Sequence, residues 1–425
     1  MNSPGTQHDS PYPTVLITLV GTDRPGVSAD LLAVAAQSGS HVLDLEQAVV
    51  RGRLLLTALL QPTGPADELS GAIDQLADRH GLNASVEPGH GDNPSRRTGR
   101  ASVVVLGSPL GADDLAEVTA AIGRQGANID RIRRLSRDPV TTIEFDLSGA
   151  DVPSLRRTLA LIAAERSLDL AVAPGGLARR GKRLLVMDVD STLIQDEVIE
   201  LLAAHAGRER EVAEVTERAM RGELDFAASL RERVGCLAGL DVSVFGEVRR
   251  AVRLTPGART LVRTVQRLGY AVAVVSGGFL EIVGPLATDL GIDHAHANRL
   301  EVRDGRLTGR VDGEIVDRAG KALALRRFAD AENLPLSRTV AIGDGANDLD
   351  MLAAAGLGIA FNAKPVVRDQ ADASVSVPYL DTVLFMLGIS RDEVDEADRV
   401  AAGGDATGHE TSRAAGAASL DSPHA

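Results

Sequence analysis

The chain has 425 residues, 44% of them hydrophobic and 24% charged, with a formal net charge of −14. That length allows two or three globular domains, and the acidic balance excludes the basic surface that non-specific nucleic-acid binding requires. With no Trp, three Tyr and seven Phe, the chain also lacks platforms for base stacking. The single cysteine, Cys236, excludes an intramolecular disulfide framework, suits a reducing cytoplasm and reads as a small core residue. No charged segment followed by an apolar one marks a signal peptide, and no apolar run approaches the ~20 residues that span a bilayer.

Residues 1–12 are polar and expected to be loose. Thr14–Val20 predicts a strand, followed by the loop Gly21-Thr22-Asp23-Arg24-Pro25-Gly26. Val27, Leu31, Leu32 and Ala35 recur at spacings of three and four and mark one face of a helix. Val42–Val50 and Leu54–Leu60 read as strands across the turn Arg51-Gly52-Arg53. Pro65 is suited to open a helix, and a strand at Ala84–Val86 closes a β-α-β-β-α-β unit spanning 13–87. The order recurs over 101–174, with strands at Ala101–Leu106, Ile129–Leu135, Thr141–Leu147 and Leu168–Val172, and helices around Leu115–Ile122 and Val152–Ala164. Ser38-Gly39-Ser40-His41-Val42 is echoed by Gln125-Gly126-Ala127-Asn128-Ile129, 87 residues later, which suggests duplication. Pro88–Arg100 and Pro174–Lys182, rich in Gly, Pro and charge, read as linkers.

The apolar run Leu184–Met187 predicts a buried strand, and Asp188 and Asp190 follow it directly. Burying two carboxylates without a partner is costly, so a cation is expected at the carboxyl end of a parallel sheet. Two more apolar strands end in polar clusters: Ala271–Val275 in Ser276-Gly277-Gly278, and Thr339–Ile342 in Gly343-Asp344-Gly345-Ala346-Asn347-Asp348. Parallel strands would bring these clusters to one edge, where crowded carboxylates call for a hard divalent ion such as Mg²⁺. Gly320-Lys321 opens a helix running to about Glu332, and Lys321 could face a phosphate held at the same edge. A hairpin turns at Asp304-Gly305, and Leu357–Phe361 and Ser374–Val377 complete the sheet. The stretch 197–255 reads as a helical insertion over the site, and 391–425, acidic and then rich in Gly, Ala, Ser and His, as a disordered tail.

The four clusters D-x-D-S-T, S-G-G, a distant Lys and G-D-G-x-N-D resemble the haloacid-dehalogenase superfamily of phosphatases over about 182–390. The resemblance implies a Rossmann-like parallel sheet with a helical cap, and hydrolysis through an aspartyl-phosphate. It casts Asp188 as nucleophile and Asp190 as general acid and base. Mg²⁺ would be held by the Asp188 and Asp344 side chains and the Asp190 carbonyl; Ser276, Gly277 and Lys321 would grip the phosphate, with Asn347 and Asp348 in support. The stretches D-S-T-x-x-x-x-E and D-F-x-x-S-L-x-x-R-V resemble phosphoserine phosphatases, which implies that Glu197 binds the substrate ammonium and Arg233 its carboxylate, with Met220 and Phe226 lining the pocket. Read without the resemblance, Glu197 and Arg233 could equally be a surface ion pair. The two βαββαβ units resemble ACT domains, α+β modules of ferredoxin-like type. In the first, G-T-D-R-P-G matches the effector loop, so Asp23, Arg24 and Gly26 are expected near a bound amino acid. Phosphoserine as substrate, serine as effector and a homodimer follow as expectations. The alternatives are a phosphatase or phosphotransferase for another small ester, such as phosphohomoserine, and a non-catalytic amino-acid sensor.

Overall fold

The computed structural model describes residues 12–64, 66–91, 98–176 and 181–399. The chain divides into two compact units, Met1–Arg96 and Arg97–Ala425. In the first, β1 (Pro13–Thr22), α1 (Val27–Gln37), β2 (His41–Val50), β3 (Arg53–Gln61), α2 (Ala66–His80) and β4 (Leu82–His90) form a four-stranded antiparallel sheet in the order β2-β3-β1-β4. Alternate residues of β1, Val15, Ile17 and Leu19, share a core with Leu31 of α1 and Leu69, Ile73 and Leu76 of α2. β4 runs further than the sequence predicts, through Pro88, which pairs with Val15. β4 is an edge strand, where the missing proline N–H leaves no ladder bond broken. Pro65 and residues 1–11 lie outside the described residues.

The second unit opens with β5 (Ala101–Gly107), α3 (Ala112–Arg124), β6 (Asn128–Ser136), β7 (Thr141–Ser148), α4 (Val152–Arg166) and β8 (Asp169–Pro174). Val103 and Val105 of β5 bury among residues of α3 and α4, including Val118, Ile122, Leu155 and Leu159. Val104 and Leu106 join instead the core of the C-terminal half. Strand alternation thus gives β5 two buried faces, which explains its unbroken apolar run. β8 continues the sheet by antiparallel pairing with β15 (Ala373–Val375), and Asp169 accepts hydrogen bonds there from Ser374 and Ser376.

The C-terminal half is built on β9 (Leu184–Met187), whose four side chains are fully buried, each contributing about 1.5–3 kcal/mol. A cap of α5 (Val198–Ala206), α6 (Glu209–Met220), α7 (Phe226–Gly235) and α8 (Val244–Ala251) follows. Then come α9 (Ala258–Arg267), β10 (Ala271–Phe279), α10 (Leu280–Leu290), β11 (His294–Arg303), β12 (Arg306–Asp312), α11 (Arg318–Ala331), β13 (Thr339–Gly343), α12 (Leu349–Ala354), β14 (Leu357–Phe361), α13 (Pro365–Arg368), β15 and α14 (Val383–Met386). β10 and β13 flank β9, and both are parallel to it. Their carboxyl ends therefore leave the sheet on the same side. The cap joins the sheet through two antiparallel chain segments, where the Gln195 N–H donates to the Arg253 carbonyl at 2.9 Å and the Thr255 N–H to Leu193 at 3.0 Å. Its last loop docks on the β11–β12 hairpin through Gly239 N–H to the Leu307 carbonyl at 2.8 Å.

One expectation is corrected. Residues 391–399, assigned to a disordered tail, are helical. Val394 is 1% exposed in the core of the C-terminal half, and Asp398 pairs with Arg263 and Arg267 of α9 at 2.5 and 2.7 Å. The acidic face that suggested disorder is matched by arginines distant in sequence. Residues 400–425 lie outside the described residues. No helix among the described residues is long and apolar enough to cross a membrane.

Candidate active site

β9 ends at Met187, and the Asp188 N–H still bonds to the Ile342 carbonyl of β13 at 2.9 Å. Asp188 is 3% exposed; its Oδ1 accepts the Val189 N–H at 2.7 Å, and its Oδ2 lies 2.8 Å from Lys321 Nζ. The backbone then turns sharply. Asp190 is extended and Ser191 sits at φ 56°, a left-handed conformation that a non-glycine residue holds only when its surroundings enforce it. The turn aims Asp190 at two donors. Oδ1 accepts the Val198 N–H at the start of α5 at 2.8 Å, and Oδ2 accepts the Ser276 hydroxyl at 3.0 Å. Burial raises the Asp190 pKa despite these bonds.

Ser276 is fully buried, and its Oγ also accepts the Gly278 N–H at 2.7 Å. A Cβ at Gly278 would stand 2.7 Å from Asp190 Oδ2, and one at Gly277 would stand 3.0 Å from the Phe226 ring. Both positions therefore need glycine to bring backbone N–H groups this close. Lys321, 1% exposed, lies 2.8 Å from Asp188 and 2.7 Å from Asp348. Burial opposes its charge, but the two carboxylates hold its pKa above the ordinary lysine value. Burial and Asp348 push Asp188 well above the usual carboxylate range, and push Asp344 up to about 6. Oxygens of Asp188, Asp344 and Asp348 all lie within 4.8 Å of one another. Three carboxylates around one ammonium leave excess negative charge, and an all-oxygen donor set suits a hard divalent cation.

Asp188, Asp190, Gly277, Gly278 and Asp344 line a cavity of 580 Å³ that extends under the cap, past Ile199, Leu224, Phe226 and Leu230. Glu197 and Arg233 line it too. Glu197 Oε1 accepts the Ser191 hydroxyl at 2.8 Å, and burial together with Asp190 raises its pKa to about 7. Arg233 Nε is buried without a hydrogen-bond partner, and burial lowers the guanidinium pKa against the pull of Glu197 and Asp190. Neither residue forms the surface ion pair that the sequence left open. A buried carboxyl and a guanidinium with an unmet N–H are an unfinished recognition site for a zwitterion.

The structure thus brings Asp188, Asp190, Glu197, Phe226, Arg233, Gly277, Asp344 and Asn347 to one cavity, with Ser276, Lys321 and Asp348 directly behind. The side chain of Met220, which ends α6, is outside the described set. Asp23, Arg24 and Gly26 are exposed in the first unit, where Gly26 opens α1 at φ 98°. Two contributors escaped sequence reasoning. Thr192 donates to Asp344 Oδ1 at 3.3 Å, and its carbonyl accepts the Thr255 hydroxyl at 2.7 Å; the D-x-D-S-T run displays it without a role. Arg318 lines the cavity, held by Asp350 at 2.7 Å; its place three residues before Lys321, one helical step away, was the available signal.

Residues 185–353 match the haloacid dehalogenase-like hydrolase family, and residues 13–87 and 100–173 each match the ACT domain. A phosphoserine phosphatase of Streptomyces coelicolor is 58% identical over 394 residues, 92% of this chain and 96% of its own. The chain belongs to the phosphoserine phosphatase family. A second phosphoserine phosphatase, from Mycobacterium tuberculosis, is 51% identical over 390 residues, 91% of this chain and 95% of its own. Among solved structures, a probable phosphoserine phosphatase from Vibrio cholerae in its unliganded form is 35% identical with a TM-score of 0.54, covering 69% of this chain and 88% of that one. Membership in the phosphoserine phosphatase family makes the chain an enzyme, a hydrolase with two ACT domains ahead of its catalytic half.

Proposed function

We propose that the chain hydrolyses O-phospho-L-serine to L-serine and phosphate, the last step of serine biosynthesis, through an aspartyl-phosphate. One observation carries the reading: a single cavity holds Asp188 and Asp344 together with Glu197 and Arg233. The first pair sits beside Lys321, as a phosphoryl group requires; the second offers a carboxylate and a guanidinium to an amino acid's two charged ends.

In this reading the Asp188 carboxylate attacks phosphorus while the bond from phosphorus to the serine oxygen breaks. Asp190, whose raised pKa favours the protonated form, gives its proton to that departing oxygen. Water then attacks the aspartyl-phosphate, Asp190 takes a proton from it, and phosphate leaves with Asp188 restored. Lys321, Ser276 and the Gly277 N–H stabilise the phosphoryl oxygens. Asp188, Asp344 and the Asp190 carbonyl would hold Mg²⁺, which supplies charge neutralisation at the phosphate, and Asp348 keeps Lys321 in place.

A non-catalytic sensor has no use for a buried lysine among three carboxylates, so that alternative finds no support. Serine as effector near Asp23, Arg24 and Gly26, a homodimer and a cytoplasmic setting complete the proposal; the ACT matches and the single cysteine support them. The test compares kcat/KM for phosphoserine, phosphothreonine and phosphohomoserine. Preference for phosphoserine is expected, and Arg233→Ala should raise its KM about 10- to 100-fold, the worth of a charge-assisted bond. Equal turnover of all three esters, or an unchanged KM, refutes the substrate assignment.

A further inference from the structure

Asn298 is a polar residue, 1% exposed, outside every motif that marks the site. It lies on β11 where the parallel pairing with β10 breaks step. Ser276 pairs with Ala297, but the next pair is Phe279 with Asn298. Gly277 and Gly278 therefore bulge from the ladder, and their backbone groups need other partners. Asn298 Nδ2 donates to the Gly277 carbonyl at 2.8 Å, and its Oδ1 accepts the Val316 N–H at 2.8 Å. Val316, 3% exposed, immediately precedes Asp317, the cap of α11. Asp317 accepts the Gly320 N–H at 2.8 Å on its side chain and the Lys321 N–H at 2.9 Å on its carbonyl. One buried carboxamide thus ties the glycine bulge to the entry of the helix that carries Lys321.

We propose that Asn298 is a positioning residue for phosphate: its carboxamide fixes the Gly277–Gly278 bulge relative to Lys321, so that both grip the same phosphoryl group. The site demands a donor toward Gly277 and an acceptor toward Val316 from one short planar group. Asparagine supplies both; an aspartate carboxylate of equal size can only accept, and would face the Gly277 carbonyl oxygen with another acceptor. This inference rests on the phosphatase reading.

The test uses the full chain with Mg²⁺ and two variants, Asn298→Asp and Asn298→Ser, each checked by thermal melting. Inhibition of phosphoserine hydrolysis by inorganic phosphate and competitive inhibition by L-serine are measured separately. Both variants are expected to raise the phosphate Ki at least tenfold and change the L-serine Ki less than twofold, because Glu197 and Arg233 hold the amino acid. An unchanged phosphate Ki, or equal weakening toward both ligands, overturns the proposal. If Asn298→Asp does not fold, Asn298→Ser decides. If the wild-type chain does not hydrolyse phosphoserine, the functional reading fails by itself. Calorimetry with inorganic phosphate then still supports the positioning role by a tenfold weaker Kd in the variants; equal affinity, or no binding to the wild type, overturns it.

Discussion

At the scale of single residues, the account turns on buried charge. Asp188→Asn removes the attacking oxygen and one carboxylate of a crowded cluster. It is expected to lower kcat by at least about 10³-fold while leaving Tm unchanged or higher, since catalytic groups of this kind are held against stability. Near-normal turnover in that variant removes Asp188 as nucleophile. Glu197 allows a sharper prediction. Its folded-state pKa of about 7 lies above the ordinary 4.5, so the folded chain binds that proton more tightly than the unfolded chain does. Ionising it therefore costs stability, from pH 4.5 upward and in full above pH 7. Glu197→Gln should stabilise the ligand-free protein at pH 8 by up to about 3 kcal/mol, read as a higher Tm, with the gain fading by pH 4.5, while KM for phosphoserine rises. Equal melting at pH 8 would show that Glu197 is not held against its charge.

Between elements, the cap depends on close contact with the β11–β12 hairpin. Gly309 of β12 sits at φ 80°, and a Cβ there would stand 2.9 Å from the Ala238 Cβ. Gly309→Ala should destabilise the chain by about 1–3 kcal/mol, measurable by denaturant titration; wild-type stability would mean that the docking yields freely. This scale also separates what was legible in the sequence from what was not. β9, β10 and β13 could be read because each is an apolar run ending in its own polar cluster, so the site residues stand next to the signal that locates them. Pro88 concealed the end of β4, because its tolerance depends on an edge position that only the assembled sheet defines. The helix over 391–399 was hidden because its partners, Arg263 and Arg267, lie more than 130 residues away. Asn298 and Thr255 were invisible for the same reason: each acts through a contact made only by the folded sheet.

For the molecule as a whole, the two ACT units differ in their cores. The second shares a core with the catalytic half through Val104, Leu106, Leu135 and Val140. The first has a core of its own, built from Val15, Ile17, Leu31 and their neighbours. Titrating L-serine into the full chain should release or absorb heat, and part of that signal should vanish when residues 1–90 are deleted; an unchanged titration would clear the Asp23 loop of effector binding. The most direct test of the central claim is phosphate release from phosphoserine by the purified chain, with Mg²⁺ and after its removal by a chelator. The account predicts turnover with Mg²⁺, loss on chelation and recovery on Mg²⁺ return. Hydrolysis that survives chelation undiminished, or no hydrolysis with Mg²⁺ present, would contradict it.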